Sequence, residues 1–493
     1  MDITPTATVE TPAGTAAGPG PGAARAARWL LGGALLWGVL LRLRLAFTDD
    51  GIYWPDEIYQ GLEPAHRLVF GYGLVAWEFV QGARSWLFPG FVAALMKLAV
   101  LLGLDSPRGY LGLIRTCFVG IAAATAWATY KLGRSNGASP LAAAAGAAAF
   151  SLSAPSIYFS HRAMAEVASA LPAAIGLWLA LERGAARRRI LGGSALLGLS
   201  AVLRLQNGIL CAGLLVALAA RRRFWEALWA LGALAGMAAL YGLLDRLTWG
   251  GWFHSALVYL QFNLVEGGAA RWGTSSAGYY LRCLFTSMPA LFAALVVLVP
   301  LSARRAGALL AICAAFLALH SLVPHKELRF LFPALPLLFA LAGCGLDAAA
   351  RRIPLGVAAG ALVACAALSA LTLRSLTFGD LGQYLDARPG APALDDMGPV
   401  NRLLLRAGGA PDLCGLEVEA VHLAWTGGET YLHRPVPLYP HTGPRRDSHR
   451  FNYAVTRPAW AGGGEVVATD DALALVRFPW GCVPDPTYDW RLP

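Results

Sequence analysis

Two polar clusters in an otherwise apolar chain carry residue types suited to group transfer. The first reads Pro55-Asp56-Glu57, followed by Gln60, Glu63 and His66. At helical spacing, positions 56, 60 and 63 fall on one face. Pro55 suits the first turn, where no backbone donor is missed. Asp56 and Glu57 then sit at a positively polarised helix start. A carboxylate there can accept a proton from a substrate hydroxyl as a general base, and the same acids can simply cap a juxtamembrane helix. The second cluster is His325-Lys326-Glu327-Leu328-Arg329-Phe330. Taken alone it is either an interfacial anchor or a polar clamp at the rim of a membrane-embedded site.

The elements around these clusters are hydrocarbon. Residues 306–324 and 331–350 flank the second cluster and are each long enough to cross a bilayer. A loop this tight keeps its charges at headgroup level, because unpaired burial in lipid is unfavourable by several kcal/mol each, of order ~3 or more. The 493 residues are 57% hydrophobic and 14% charged, with mean hydropathy +0.52. Soluble domains carry about 25% charge, so the expected class is an all-α polytopic membrane protein. Alternating barrel-strand patterning is absent. The net charge of +10 comes mainly from arginine clusters beside apolar runs, which suits topology better than nucleic acid, and no RNA- or DNA-reading motif is visible.

Expected spans lie near 29–47, 87–104, 109–131, 140–158, 164–182, 190–203, 207–221, 224–244, 281–301, 306–324, 331–350 and 354–376, about 11–12 in all. Residues 1–24 are rich in Thr, Ala, Pro and Gly and are expected to be disordered. A membrane module is expected over 25–376, with a first polar loop at 48–86. An extracytoplasmic α/β or mostly-β domain is expected over 377–493, with strands near Glu465–Ala468 and Leu473–Val476. Arg187-Arg188-Arg189, Arg221-Arg222-Arg223, Arg304-Arg305 and Arg351-Arg352 can all be cytoplasmic together. That places 204–208, 245–280, 325–330 and the region after 377 on the other side. One region resists: counting forward through 87–104 puts Lys131 and Arg134 outside, and counting backward from Arg187 puts them inside. Either 87–104 is a re-entrant or surface helix, or one span is miscounted.

Further polar residues gather on the same expected side. Glu78 and Arg84 stand among aromatic residues that form an interfacial belt or a sugar-binding surface. Ser160-His161-Arg162 with Glu166, and Arg204 with Gln206 and Asn207, mark two helix ends; arginine matches phosphate oxygens bidentately. The 245–280 loop joins Trp249, Trp252, Tyr259, Asn263 and Trp272, a pattern for carbohydrate contact or for packing and interface anchoring. Six cysteines lie in or beside apolar segments, whereas Cys414 and Cys482 would make one disulfide if the tail is extracytoplasmic. His422, His433 and His441 lack zinc spacing and read as structural or surface residues, and no ligand cluster calls for a metal or other cofactor. A transporter would place broken helices and charges near the midplane in two related halves. Here the charges collect at one face and no half-repeat is visible.

Pro55-Asp56-Glu57-x-x-Gln60-x-x-Glu63-x-x-His66, then Phe70-Gly71-Tyr72-Gly73, Trp77-Glu78 and Arg84-Ser85, resemble the first luminal loop of lipid-phosphate-mannose-dependent mannosyltransferases (glycosyltransferase family 22). This family contains the GPI mannosyltransferases. His325-Lys326-Glu327-x-Arg329-Phe330 with Pro333 and Pro336 resembles its second hallmark, and residues 245–280 its middle loop. The chain departs at Trp54, where the family commonly has His, and around Ser160-His161-Arg162. The resemblance implies a GT-C helical bundle that transfers mannose, or another lipid-linked sugar such as glucose, arabinose or aminoarabinose, from a polyprenyl-phosphate donor to a glycolipid or glycan hydroxyl, with inversion. It implies Asp56 as base with Glu57 second. It implies His325, Lys326, Arg329 and Arg204 on the phosphate, without a metal. Gln60, Glu63, His66, Glu78, Arg84, Arg162, Asn263 and Glu327 are then acceptor- or sugar-binding candidates. The Ala-, Gly- and Arg-heavy composition resembles a high-GC bacterial protein, so the expected location is the inner membrane with a periplasmic site.

Overall fold

The computed structural model describes residues 21–383, 390–441, 449–485 and 487–489. The tail expected to be disordered over 1–24 lies almost wholly outside the described residues. Among the described residues, six helices are long and apolar enough to cross a membrane: Gly22–Thr48, Pro107–Ser135, Phe224–Trp249, Ala303–Leu322, Leu328–Ala349 and Leu355–Ser375. Pro140–Leu152 and Ala154–Ser160, bent by 59°, make a seventh as one broken span. Ala165–Leu181, Arg187–Leu203, Leu205–Ala220 and Pro289–Leu301 are shorter helices of the same bundle. The Phe224–Trp249 helix leaves Leu228, Leu231, Leu240 and Leu243 exposed, the outward apolar face a lipid-embedded helix presents.

Sequence explains both the close packing and the breaks. Helix Pro140–Leu152 is mostly alanine and buried. A Cβ on Gly146 would collide with the Phe339 carbonyl, so the small residues here let two helix backbones approach closely. Pro155 just after the bend removes a backbone donor. The freed groups are satisfied sideways: buried Arg42 donates to Ser151 O at 2.7 Å and to Ser156 Oγ at 2.8 Å, and Ser369 Oγ accepts from Ala154 N at 3.0 Å.

The bundle has two polar ends. At one, Asp347 accepts from Ser139 Oγ at 2.7 Å and pairs with Arg305 at 3.2 Å, while Arg223 donates to Leu181 O and Glu182 O. Lys131 and Arg189 both lie over the Trp178 ring at this end, 5.7 and 5.9 Å from its centroid. The other end gathers the loops after residues 48, 160, 203, 249 and 322. Eleven passages connect the two ends among the described residues.

Helix Leu87–Leu101 is not one of them. It starts where Phe88 and Pro89 line a cavity at the loop-rich end. The next helix starts at that same end, with Arg108 on Asp50 at 2.6 and 2.8 Å. Fifteen helical residues extend about 22 Å at about 1.5 Å each, and residues 102–106 are too few to return across the bundle. The alternative of a re-entrant or surface helix therefore fits, and it puts Lys131 and Arg134 at the arginine-rich end.

The C-terminal region is a small α/β domain on the loop-rich end. Strands β1 (Leu416–Val418), β2 (Leu438–Pro440), β3 (Tyr453–Thr456), β4 (Glu465–Asp470) and β5 (Leu473–Arg477) form one sheet in the order β2-β1-β3-β5-β4. β1 pairs in parallel with β2 and β3, and β5 is antiparallel to β3 and β4. Helix Gly398–Gly408 buries Val400, Leu403, Leu404 and Ala407. Cys414 and Cys482 are disulfide-bonded, tying the start of β1 to the segment after β5.

Candidate active site

The first polar loop folds into two layers. In the inner layer Arg162, 1% exposed, donates to Asp49 Oδ2 at 2.6 Å, Glu57 Oε2 at 2.9 Å and Gly51 O at 2.9 Å. Its guanidinium also covers the Tyr158 ring at 4.6 Å. Burial alone would raise the Asp49 carboxyl, but Arg162 and the His161 contact at 3.3 Å hold it well below the usual carboxylate range. Glu57 also accepts from Tyr53 N at 3.3 Å. Glu57 and Arg162 thus face the core, where each satisfies the other's charge and braces the loop.

Asp56 faces the opposite way. Its carboxylate is 24% exposed, and Oδ2 accepts from Arg329 Nη2 at 2.6 Å. Arg329 is itself buried and shared. Glu327 accepts from its Nε at 2.8 Å and Nη2 at 3.0 Å, and Glu166 lies 3.0 Å from Nη1. Glu166 also pairs with Arg204 at 3.2 Å. Three carboxylates therefore converge on one guanidinium, which leaves it no fork for a phosphate. Phe330 lies beneath both arginines, at 4.6 Å from Arg204 and 5.1 Å from Arg329.

The rest of the second cluster divides its work. Lys326 Nζ turns from the site and donates to Ser275 O at 2.7 Å. His325 meets acceptors on both nitrogens, Gly273 O at 3.1 Å and Glu327 Oε1 at 3.1 Å, an environment that matches the doubly protonated ring. Burial works against that charge, but the Glu327 hydrogen bond and charge raise the imidazolium pKa. Burial likewise opposes the Glu327 carboxylate, yet Arg329 and His325 together lower its pKa.

Asp56 opens on a cavity of about 580 Å³ with a side chamber of about 60 Å³. Both spaces share Asp56, Gln60, Arg84, Arg204, Gln206 and Tyr259. Gln60 Nε2 donates to Glu78 Oε1 at 2.7 Å, and burial, then the Asp56 charge, raises Glu78 to about 7. Arg84 lies over the Tyr259 ring at 5.3 Å and has no carboxylate at ion-pair distance among the described residues; its Nε is buried without a hydrogen-bond partner. Asn263 Nδ2 donates to Tyr259 O at 2.8 Å, Gln206 Nε2 donates to Tyr259 Oη, and Asn263 lines the large cavity. Arg84 is thus the cavity cation whose charge is least neutralised. No group of three or more His, Cys, Asp or Glu positioned to hold a metal occurs among the described residues.

Glu63 and His66 are placed elsewhere. A π turn over Ile58–Leu62 inserts an extra residue, and one residue rotates a helix by about 100°. Asp56 and Gln60 stay on the cavity, while Glu63 turns to the C-terminal helix Gly428–Leu432, accepting from Thr430 Oγ1 at 3.0 Å and from Glu429 N. Burial pushes Glu63 up to about 8, against the pull of those hydrogen bonds. His66 Nε2 lies 3.0 Å from His433 Nδ1, and burial lowers His66 to about 4. Both residues dock the C-terminal domain. Sequence reading noted Glu166 at a helix end without giving it a role in the site, and missed Asp49 and Trp425. Asp49-Asp50 directly after the first span was a signal for the former; nothing local marked Trp425.

The Alg9-like mannosyltransferase family matches residues 34–384. GPI mannosyltransferase 3 of Yarrowia lipolytica is 33% identical over 307 residues, 60% of this chain and 59% of that protein. Human GPI alpha-1,2-mannosyltransferase 3 is 25% identical over 324 residues, 63% of this chain and 56% of that protein. The chain thus spans less than two thirds of the length of these relatives. Among solved structures, ArnT of Cupriavidus metallidurans bound to undecaprenyl phosphate superposes with a TM-score of 0.59 at 15% identity, over 92% of this chain and 98% of ArnT. Mycobacterial arabinofuranosyltransferase AftD gives 0.52 at 16% identity, over 94% of this chain and 40% of AftD. At such identities the likeness is one of fold, the GT-C bundle. With both hallmark clusters meeting at one cavity inside the matched region, the chain belongs to the Alg9-like mannosyltransferase family, a family of membrane glycosyltransferases.

Proposed function

We propose that this protein transfers mannose from a polyprenyl-phosphate donor to a hydroxyl of a glycolipid or glycan acceptor, inverting the anomeric centre. The observation that carries the reading is the asymmetry around Asp56: a carboxylate open to the cavity, braced from behind by a buried arginine that two other acids already share. Arg329 fixes the orientation of the carboxylate, whose other side stays open to the cavity where an acceptor hydroxyl can reach it. The acceptor O–H proton passes to Asp56 as its oxygen bonds to the anomeric carbon. The bond from that carbon to the phosphate oxygen breaks, and the lipid phosphate leaves with the electron pair. Arg84 is the first candidate to hold that charge, with Arg204 beside it. Arg329 and Lys326 act on the carboxylates and loop carbonyls instead. Ile209, Leu260, Leu264, Leu319 and Val323 line an apolar side of the same cavity, suited to the prenyl chain.

The orientation follows from charge. The site lies opposite the Arg187–Arg189, Arg221–Arg223 and Arg304–Arg305 clusters, which supports an extracytoplasmic site by the positive-inside rule. The composition supports a bacterial inner membrane and hence a periplasmic site. ArnT's bound undecaprenyl phosphate supports a lipid-phosphate donor by likeness of fold. The test is purified protein in lipid nanodiscs with polyprenyl-phosphate mannose, glucose and arabinose, each paired with lipid extract from a deletion strain. Transfer from the mannose donor alone is expected. Preference for another donor overturns the sugar, and transfer from GDP-mannose but from none of the three overturns the donor class.

A further inference from the structure

The C-terminal domain builds one wall of the cavity, and we propose that this wall is the acceptor subsite, taking a pyranoside whose hydroxyl is delivered to Asp56. The inference rests on the transfer reaction above and adds where its second substrate sits. His422, Ala424 and Trp425 line the large cavity but not the side chamber. They come from the tail, beyond the matched residues 34–384.

The two sides of Asp56 differ in chemistry. Arg84 and Arg204 line both spaces and Glu166 only the side chamber, so the cations sit at the junction of the two, whereas Trp54 and Trp425 lie only on the large cavity, edge to face at 5.4 Å. An inverting displacement needs its nucleophile on the face of the anomeric carbon opposite the departing phosphate. With the phosphate at the arginines, the nucleophile approaches from the tryptophan side. A pyranose presents an apolar C–H face and a rim of hydroxyls, which suits an indole on the cavity wall whose N–H is unused. Neither Trp54 nor Trp425 makes a side-chain hydrogen bond among the described residues. His422 Nδ1 accepts from Ala424 N at 3.2 Å, so its other nitrogen carries the proton as a donor.

The subsite is also held in register with the base. Tyr59 Oη donates to Leu423 O at 2.8 Å, and Thr426 Oγ1 donates to the same carbonyl at 2.7 Å. Tyr59 belongs to the π turn that carries Gln60 and follows Asp56 by three positions. The turn bearing His422 and Trp425 is therefore fixed to the helix bearing the carboxylate. Movement of one carries the other.

The experiment is saturation-transfer NMR of full-length protein in nanodiscs with hexyl α-D-mannopyranoside as probe, run beside transfer kinetics. Wild type should bind the glycoside. Trp425→Ala should weaken binding at least about tenfold and raise the acceptor KM with the donor KM unchanged, while Trp425→Phe should stay within about threefold. Equal binding by wild type and Trp425→Ala, or no binding by wild type, overturns the subsite. A Trp425→Phe protein as impaired as Trp425→Ala overturns the stacking role. Glycoside binding that depends on Trp425, without any sugar transfer by wild type, supports the subsite and overturns the proposed reaction instead.

Discussion

Asp56 and Arg329, 273 residues apart in sequence, meet at 2.6 Å across the cavity floor. The pair joins the two hallmark clusters, and its asymmetry gives each partner a different task. Arg329 is buried and held by Glu166 and Glu327, whereas Asp56 keeps one side open to the cavity. The second cluster therefore acts on the first: it aims a carboxylate. In the proposed reaction, phosphate holding falls to cations contributed by other loops, Arg84 before helix Leu87–Leu101 and Arg204 between two passages.

Replacing Asp56 by Asn removes the proton acceptor and keeps an oxygen for Arg329. Transfer should fall by about 10²–10⁴-fold, with thermal unfolding in detergent close to wild type. Retention of activity within about threefold would exclude Asp56 as the base.

Arg329→Met should damage the fold before it damages catalysis. It strands Glu166, Glu327 and Asp56 around a buried apolar side chain. Losing one partner of a buried ionic network destabilises by about 3–5 kcal/mol, so the purified variant should lose its thermal transition or aggregate on size exclusion. Arg84→Met, by contrast, should express and fold normally, because Arg84 makes no ion pair with a buried acid among the described residues, and should raise the donor KM.

The attachment of the C-terminal domain should weaken with rising pH. Glu63 is raised from 4.5 to about 8 by burial, so the neutral form is favoured in the folded state. That contribution is complete below about 4.5 and is lost as pH climbs to about 8. Hydrogen exchange across residues 428–433 should accelerate over this window in wild type, and the slope should flatten in Glu63→Gln, whose amide never ionises.

Much of the site was legible because its chemistry is local. Asp56, Arg204 and the charged run after 324 stand out against hydrocarbon. What failed to read was direction. Asp56 and Glu57 are neighbours about 100° apart on a helix, so one faces the cavity and the other the Arg162 layer, and composition cannot say which. The π turn defeated the helical spacing that grouped Glu63 with Gln60, since no residue at 58–62 announces it. Lys326 looks as cationic as Arg329 in sequence, yet spends its charge on the Ser275 carbonyl. Trp425 was unreadable for a different reason: its partner Trp54 lies hundreds of residues earlier, and only tertiary packing joins them.

The same limit applied to topology, where it yields a sharp prediction. Leu87–Leu101 is apolar but for Lys97 and passes for a span by composition, but at about 1.5 Å per residue its 15 residues are shorter than the roughly 30 Å hydrocarbon core. Arg108 on Asp50 and Lys131 beside Arg189 over Trp178 fix the ends of the helix that follows. Single cysteines at 108 and 134, in a background lacking the six free cysteines, should therefore label from opposite sides of intact membrane vesicles. The cysteine at 108 should share its side with one at 326, and that at 134 with one at 305. Labelling of 108 from the side of 305 together with 134 from the side of 326 would mean that Leu87–Leu101 crosses after all. The positive-inside count would then fail at Lys131 and Arg134, and the placement of the Asp56 loop relative to the membrane would have to be redrawn.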